Sequence, residues 1–300
     1  MAETISSKSY QTLFTFRDKR FNPAALSQYH LSIYVSDTSF KVSCVNPVTG
    51  QYLLLGVYSL AYRQGQERVQ ALEQLYEDHP LLGAKSWATV TLCVGNQQYT
   101  LVPQQFSQAK TLPDYLALTC PIGSNTVKHF MHTSLHLTVA FAMDPLLLNW
   151  LQQTYEQAQL HTIHQASSLI EGTLAYLQGH RPSSLPRTLV FVEADHLHII
   201  VVQSSHLLYY NRFTYTTEDE FLNYILTVMD TLGLAPNLHE VILGGSISKG
   251  SAAHRKARNY LHKLNFIDKP SYFSFRRSRT QSMLATHLDV MSTYRCHQAL

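Results

Sequence analysis

The chain has 300 residues, 45% hydrophobic and 14% charged, which supplies a large core and predicts two domains by length. Its net charge of +3 hides an asymmetry: from Lys249 to Arg279 nine basic residues face one acid, Asp268, a net +8 that leaves −5 for the rest. Four dispersed cysteines, Cys44, Cys93, Cys120 and Cys296, with no CxxC pair exclude a disulfide frame and a zinc knuckle, and the lack of an apolar run of about 20 residues excludes a membrane helix and predicts a soluble, cytoplasmic protein.

Residues 1–20 are polar and mixed in charge and read as a loosely held arm. From His30 the pattern alternates: Leu31, Ile33 and Val35, a turn at Ser36 to Ser39, then Phe40, Val42 and Cys44, a turn at Asn46 to Gly50, and a third strand from Tyr52 to Leu60. That is a three-stranded meander. Val69, Leu72, Leu75 and Tyr76 mark a helix over about 66–76, followed by strands at 87–94 and 99–102, the latter stopped by Pro103. A short helix around 112–118 and a strand-like segment from Val127 to Ala142 come next. Asp144-Pro145 then opens a helix to about Ala158, with Asp as N-cap and Pro at the first helical position. An extended piece, 159–164, leads to a helix over 166–177, and the Pro-, Ser- and Arg-containing stretch up to Pro186 reads as a linker.

The second half repeats the plan. Thr188 to Ala194 and Leu197 to Val202 are apolar enough for strands covered on both faces. Ser204-Ser205 breaks to a third strand, 206–215, rich in aromatic residues. Thr217 and Glu220 have capping-box spacing, so the helix predicted to run to Leu232 starts there. Phe221, Tyr224, Ile225, Val228 and Leu232 form its apolar stripe, and Gly233 is placed to end it. A short buried strand, 240–243, closes on Gly244-Gly245. Each half is thus a meander, an amphipathic helix and a further strand, and duplicated units of this type pack as two domains facing a cleft. The expected division is an arm over 1–20, a first domain over 21–180, a linker over 181–187 and a second domain over 188–300 with a basic C-terminal segment.

The duplicated meander-then-helix pattern resembles the actin-like ATPase fold shared by actin, sugar kinases and heat-shock chaperones, an α/β fold of mixed sheets. Leu31-Ser-Ile33, Tyr99-Thr-Leu-Val-Pro103, Asn211-x-Phe213-x-Tyr215 with Glu218-Asp219 and Tyr224, and the Leu243-Gly244 strand end are, more narrowly, similar to a bacterial family of unknown function with that fold. The resemblance spans roughly residues 30–285.

The resemblance implies ATP and magnesium held by the first hairpin of each half, through an Asp and through glycines whose backbone N–H groups approach the phosphates. The matching turns are Ser36-Asp37-Thr38-Ser39 and Glu193-Ala194-Asp195-His196-Leu197-His198, and neither has a glycine. Only Gly244-Gly245-Ser246 keeps the glycines, at the position where relatives hold adenosine, and a tight strand-to-helix turn accounts for it as well. The chain has 12 glycines in 300 residues, below the roughly 7% typical of proteins. The expectation is therefore a degenerate ATPase fold that no longer hydrolyses ATP, with no catalytic residue and no cofactor assigned. Asp37, Thr38, Glu193, Asp195, Gly244, Gly245 and Ser246 stand as remnants of the nucleotide cleft.

Other chemistry is thinner. His196 and His198 leave one face of a strand beside Glu193 and Asp195, but sixteen histidines produce such pairs by chance, as they do for His161 and His164, so no metal is assigned. Arg255, Lys256 and Arg258 share a predicted helix whose other face is Ala257, Leu261 and Leu264, and Arg276, Arg277 and Arg279 follow the aromatic run Tyr272, Phe273 and Phe275. Basic residues interleaved with aromatics are chemistry for nucleic acid, whereas the bland reading is a solvated helix face. The preferred reading is a scaffold that meets a protein partner or a second copy. Retained ATP binding predicts stabilisation by ATP that a bulky residue at Gly245 abolishes, and RNA binding through 249–279 predicts steep salt dependence.

Overall fold

The computed structural model describes residues 9–61, 65–180, 183–268, 270 and 286–298. The chain divides into two compact units, Met1–Ser168 with Thr293–Leu300, and Leu169–Ser292. The boundary therefore falls inside a helix, Gln165–Gln178, and not in the 181–187 stretch.

The first unit is built on a six-stranded sheet in the order β1-β4-β3-β2-β5-β9. Strands β2 (His30–Ser36), β3 (Ser39–Asn46) and β4 (Gln51–Leu60) form the predicted antiparallel meander. Strands β5 (Thr89–Gly95) and β9 (Gln159–His164) extend it in parallel beyond β2. Every residue of β2 is buried: Leu31, Ile33 and Val35 on one face and His30, Ser32, Tyr34 and Ser36 on the other, as expected of a strand covered on both sides. The arm expected over residues 1–20 is a strand from Tyr10 onward: β1 (Tyr10–Arg17) pairs antiparallel with β4. Its sequence hides this because β1 is an edge strand in which only Tyr10 is buried, so backbone pairing and not apolar alternation holds it.

Between β5 and β9 the chain inserts a three-stranded sheet, β6 (Tyr99–Pro103), β7 (Thr126–His132) and β8 (Leu137–Met143), in the order β6-β8-β7. The segment expected as one strand over 127–142 is thus an antiparallel hairpin, bent through a 3-10 turn that ends at His136 in the left-handed conformation (φ 51°). Helix α2 (Leu112–Ala117) packs on this sheet. Helix α1 (Gly65–Asp78) packs with α3 (Pro145–Thr154). The Asp144 carboxylate caps α3 by accepting from Leu146 N at 2.9 Å, as predicted, but α3 ends before the expected Ala158. The reason is Tyr155, fully enclosed, whose hydroxyl donates to the Leu82 carbonyl at 2.6 Å and meets the Tyr76 hydroxyl at 2.9 Å.

After α4 (Gln165–Gln178) the second unit forms a five-stranded sheet in the order β12-β11-β10-β13-β14. Strands β10 (Arg187–Glu193), β11 (His196–Gln203) and β12 (His206–Thr214) are the second antiparallel meander. Strands β13 (Glu240–Gly245) and β14 (Leu264–Phe266) add on in parallel. The order matches β4-β3-β2-β5-β9 strand for strand, so the duplication read from the sequence holds at the level of topology. Helix α5 (Glu218–Thr231) carries both predicted ends. Thr217 Oγ1 accepts from Glu220 N at 3.2 Å, while Glu220 Oε2 accepts from Thr216 N at 2.7 Å. At the other end Gly233 (φ 67°) closes a Schellman motif through Leu234 N to Met229 O at 2.8 Å.

Helix α6 (Ala252–Arg258) is shorter than predicted. Leu264 lies in β14 and not on the helix, although Ala257, Leu261 and Leu264 do share the apolar core with β13 and α5. Helix α7 (Leu288–Gln298) starts within the second unit and from Thr293 belongs to the first, so the second domain expected over 188–300 gives up its last residues. Among the described residues no helix is long and apolar enough to cross a membrane.

Candidate functional site

In the first unit the β2–β3 hairpin turns through Asp37 and Thr38. Ser36 Oγ accepts from Ser39 N at 3.1 Å, so a backbone donor that could meet an anion at this turn is bound within it. Asp37 is exposed, with Arg68 of α1 at 3.7 Å, and the same guanidinium donates to Asp144 Oδ2 at 2.6 Å. A guanidinium beside the carboxylate is a poor neighbour for a divalent cation. Arg68 is a site residue that sequence reasoning missed, and so is Lys41. Lys41 is buried on β3, its ammonium 4.5 Å above the ring of Tyr34 on β2. The Tyr34 hydroxyl in turn lies against Gly95, where a Cβ would come within 2.2 Å of it. The strand end after Gly95 is fully used: Asn96 Nδ2 donates to Ala142 O at 2.8 Å, and Asn96 O meets His164 Nε2 at 3.2 Å.

In the second unit the β10–β11 hairpin turns through Ala194 and Asp195, with Glu193 opposite His196. Ala194 adopts φ 51° without being glycine, at a cost of roughly 1–2 kcal/mol. Asp195 Oδ1 accepts from His196 Nδ1 at 2.8 Å, and its carbonyl accepts from Tyr215 N at 2.9 Å. Burial, with Arg212 beside it, lowers the His196 pKa against the opposing pull of Asp195 and Glu193. Burial, reinforced by Asp195 and Glu218, raises that of Tyr215. His198 is fully buried, bonded through Nδ1 to the Tyr210 hydroxyl at 2.8 Å, so the two histidines expected to share a face differ in environment. Among the described residues no group of three or more His, Cys, Asp or Glu side chains is arranged to hold a metal ion.

Gly244-Gly245-Ser246 ends β13. Gly245 has φ 83°, and a Cβ there would stand 2.0 Å from Val192 O and 2.8 Å from Val192 N on β10. Ser246 donates to the same Val192 carbonyl twice, through its amide at 2.8 Å and its hydroxyl at 3.1 Å. Gly245 serves the close approach of two parallel strands, whereas a Cβ at Gly244 would meet only side chains, Ile267 at 3.3 Å and Phe191 at 3.6 Å, and the donors of Ser246 are spent on β10.

The basic helix is partly neutralised by its own unit. Lys256 pairs with Asp219 at the start of α5, and Arg255 donates to the Gly250 carbonyl. His254, buried, accepts from Gly250 N at 3.0 Å and packs on Phe266. Burial, then Arg258, Lys249 and Arg255, lower its pKa, which registers a local positive field. Arg276, Arg277 and Arg279, with the aromatic run before them, lie outside the described residues.

Two meander-first sheets of one strand order, each extended by two parallel strands, define a protein of the actin-like ATPase fold. The chain belongs to the family described as protein of unknown function DUF3822, whose model matches residues 18–264. Among solved structures it is similar to a Bacteroides thetaiotaomicron protein with actin-like ATPase fold and unknown function, at 17% identity and TM-score 0.77 over 92% of this chain and 99% of that one. It is also similar to the PilM–PilN type IV pilus biogenesis complex, at 11% identity and TM-score 0.60 over 89% of this chain and 98% of the matched one. A search of curated proteins gave no match.

Proposed function

We propose that this chain is a non-hydrolysing member of the actin-like fold that acts as a scaffold or protein-interaction module. The observation that carries the reading is that the groups a magnesium–nucleotide complex would need are engaged inside each unit. Ser39 N is bound to Ser36, Asp37 faces Arg68, Asp195 holds His196, and both donors of Ser246 go to Val192 O. These residues do not fit magnesium and ATP, so no chemical step is routed through them. A structural neighbour of the same fold is itself a two-protein complex, which supports an interaction role for this fold.

The test is a thermal-shift titration with ATP, ADP and magnesium. A ligand at 100 times its Kd stabilises by about 2.7 kcal/mol, so millimolar nucleotide registers even weak binding. No shift is expected, together with a dimer in light scattering or stoichiometric co-purification of a partner. A nucleotide-dependent rise that Asp195→Ala removes would overturn the reading and make this an ATP-binding protein. RNA association through 249–279 is the second reading, favoured by Arg258, Lys249 and Arg255 acting together around His254 on and beside α6. It requires binding that weakens steeply with salt and is lost on Arg258→Glu.

A further inference from the structure

Three histidines distant in sequence meet in the first unit. His30 starts β2 and has no exposed surface, His161 is on β9, and His297 is in the last turn of α7. The rings of His30 and His297 stack with centroids 4.5 Å apart and planes at 29°, and His161 lies 5.5 Å from His297. Tyr294, one turn earlier on α7, is 5.0 Å from His30. His30 Nδ1 is bonded to Thr89 Oγ1 of β5 at 2.7 Å, which leaves its Nε2 buried and unpartnered, as are Nε2 of His161 and Nδ1 of His297. The His30 and His297 rings are stacked, and among the described residues no group of three or more His, Cys, Asp or Glu side chains is arranged to hold a metal ion.

The surroundings disfavour charge on any of the rings. The groups that face them are Thr89 from β5, His161 from β9, and Tyr294 and His297 from α7, which also carries Arg295, bonded to Gln298 Oε1 at 2.8 Å. Among the described residues no carboxylate acts on the three imidazoles. Burial lowers the pKa of all three, and the neighbouring histidines add to it for His30 and His297. A proton here is a buried cation that no described residue neutralises.

We propose that this imidazole stack is a proton-operated latch on the last turn of α7: neutral, it clamps the turn from Thr293 onto β2 and β9, and protonated, it lets the turn go. Once released, the imidazoles return to their ordinary pKa of about 6.5. At pH 5.5 the opening equilibrium then rises roughly tenfold if one ring takes up a proton on release, and about a thousandfold if all three do. His161 and His297 are only partly buried, which places the expectation nearer the lower figure.

Cys296, fully buried in the same turn, reports the opening, and the partly exposed Cys120 is the reference. The full chain is labelled with 4,4′-dithiodipyridine, which reacts with thiols at acid pH, and the modified peptides are quantified by mass spectrometry. The rate of Cys296 relative to Cys120 should rise at least tenfold from pH 7.5 to 5.5 while Cys44 and Cys93, buried in the sheet of the same unit, stay protected. The rise should flatten in His30→Phe with His297→Phe, which keeps two stacked rings without a titrating nitrogen. An unchanged wild-type ratio would overturn the latch. So would equal exposure of Cys44 and Cys93, which means unfolding of the whole unit. Protection of Cys296 at pH 7.5 by one equivalent of zinc would replace the latch with a metal site.

Discussion

Gly245→Ala separates a packing glycine from a nucleotide-binding one. The new Cβ would lie 2.0 Å from Val192 O and 2.8 Å from Val192 N, both backbone atoms in a parallel ladder, where ordinary contact begins at 3.4 Å. A φ of 83° adds the left-handed penalty of roughly 1–2 kcal/mol for a residue with a Cβ. Moving β13 away from β10 also stretches the two hydrogen bonds from Ser246 to Val192 O, each worth about 1 kcal/mol. The sum is roughly 3–4 kcal/mol, a large part of the 5–15 kcal/mol typical of a folded domain. At about 2–4 °C per kcal/mol, the melting temperature should fall by roughly 6–16 °C. Gly233→Ala is the control, since φ is 67° but nothing lies within 4 Å, and it should cost only the left-handed penalty of roughly 1–2 kcal/mol. Urea unfolding followed by far-UV circular dichroism compares the two. If Gly245→Ala costs no more than Gly233→Ala, the packing argument is wrong and the glycine is free for a ligand. The same geometry means that a bulky residue at 245 tests folding, not nucleotide binding.

Tyr155→Phe removes the donor to Leu82 O and the partner of the Tyr76 hydroxyl in a fully buried pair, and thermal unfolding should show a loss of about 1–3 kcal/mol. Thr217→Ala removes the cap of α5 and should cost about 1 kcal/mol in urea. For His30 the folded pKa lies well below the ordinary value because of burial and then of His297 and His161. The unfolded chain therefore binds the proton first: stability is untouched above pH 6.5 and declines below it by about 1.4 kcal/mol per pH unit. Urea titrations from pH 7.5 to 5 should show that slope and its reduction in His30→Phe. An acid slope carried entirely by His30→Phe would show that other groups cause it.

Legibility followed burial and local hydrogen bonding. Both meanders could be read because β2, β3, β10 and β11 are buried along almost their whole length, and α5 because its cap and its Schellman end use residues within five positions of each other. Strand β1 could not, since an edge strand with one buried residue has a surface composition. The bend at His136 was hidden because neither Gly nor Pro marks it. Of the site, the two turns and the glycine pair were visible as motifs, whereas their partners were not. Arg68 and Asp144 are 76 residues apart, and His30, His161 and His297 come from three elements spread over the chain. No local spacing rule reaches such pairs.

The two units bear on the same question independently. They share a strand order, so the same two places, the first hairpin and the end of the first parallel strand, can be compared in each. In the first unit the hairpin amide of Ser39 is bound by Ser36, and the strand end at Gly95 is filled by Tyr34 and tied through Asn96. In the second the hairpin is held by Asp195 with His196 and Tyr215, and the strand end is closed by Gly245 and Ser246 on Val192. Different side chains reach the same outcome: donors and acceptors at the first hairpin and at the end of the first parallel strand are engaged within each unit. A single plugged loop could be opened by one substitution. Opening either strand end removes packing that holds a sheet together, through Tyr34 against Gly95 in the first unit and Gly245 and Ser246 on Val192 in the second.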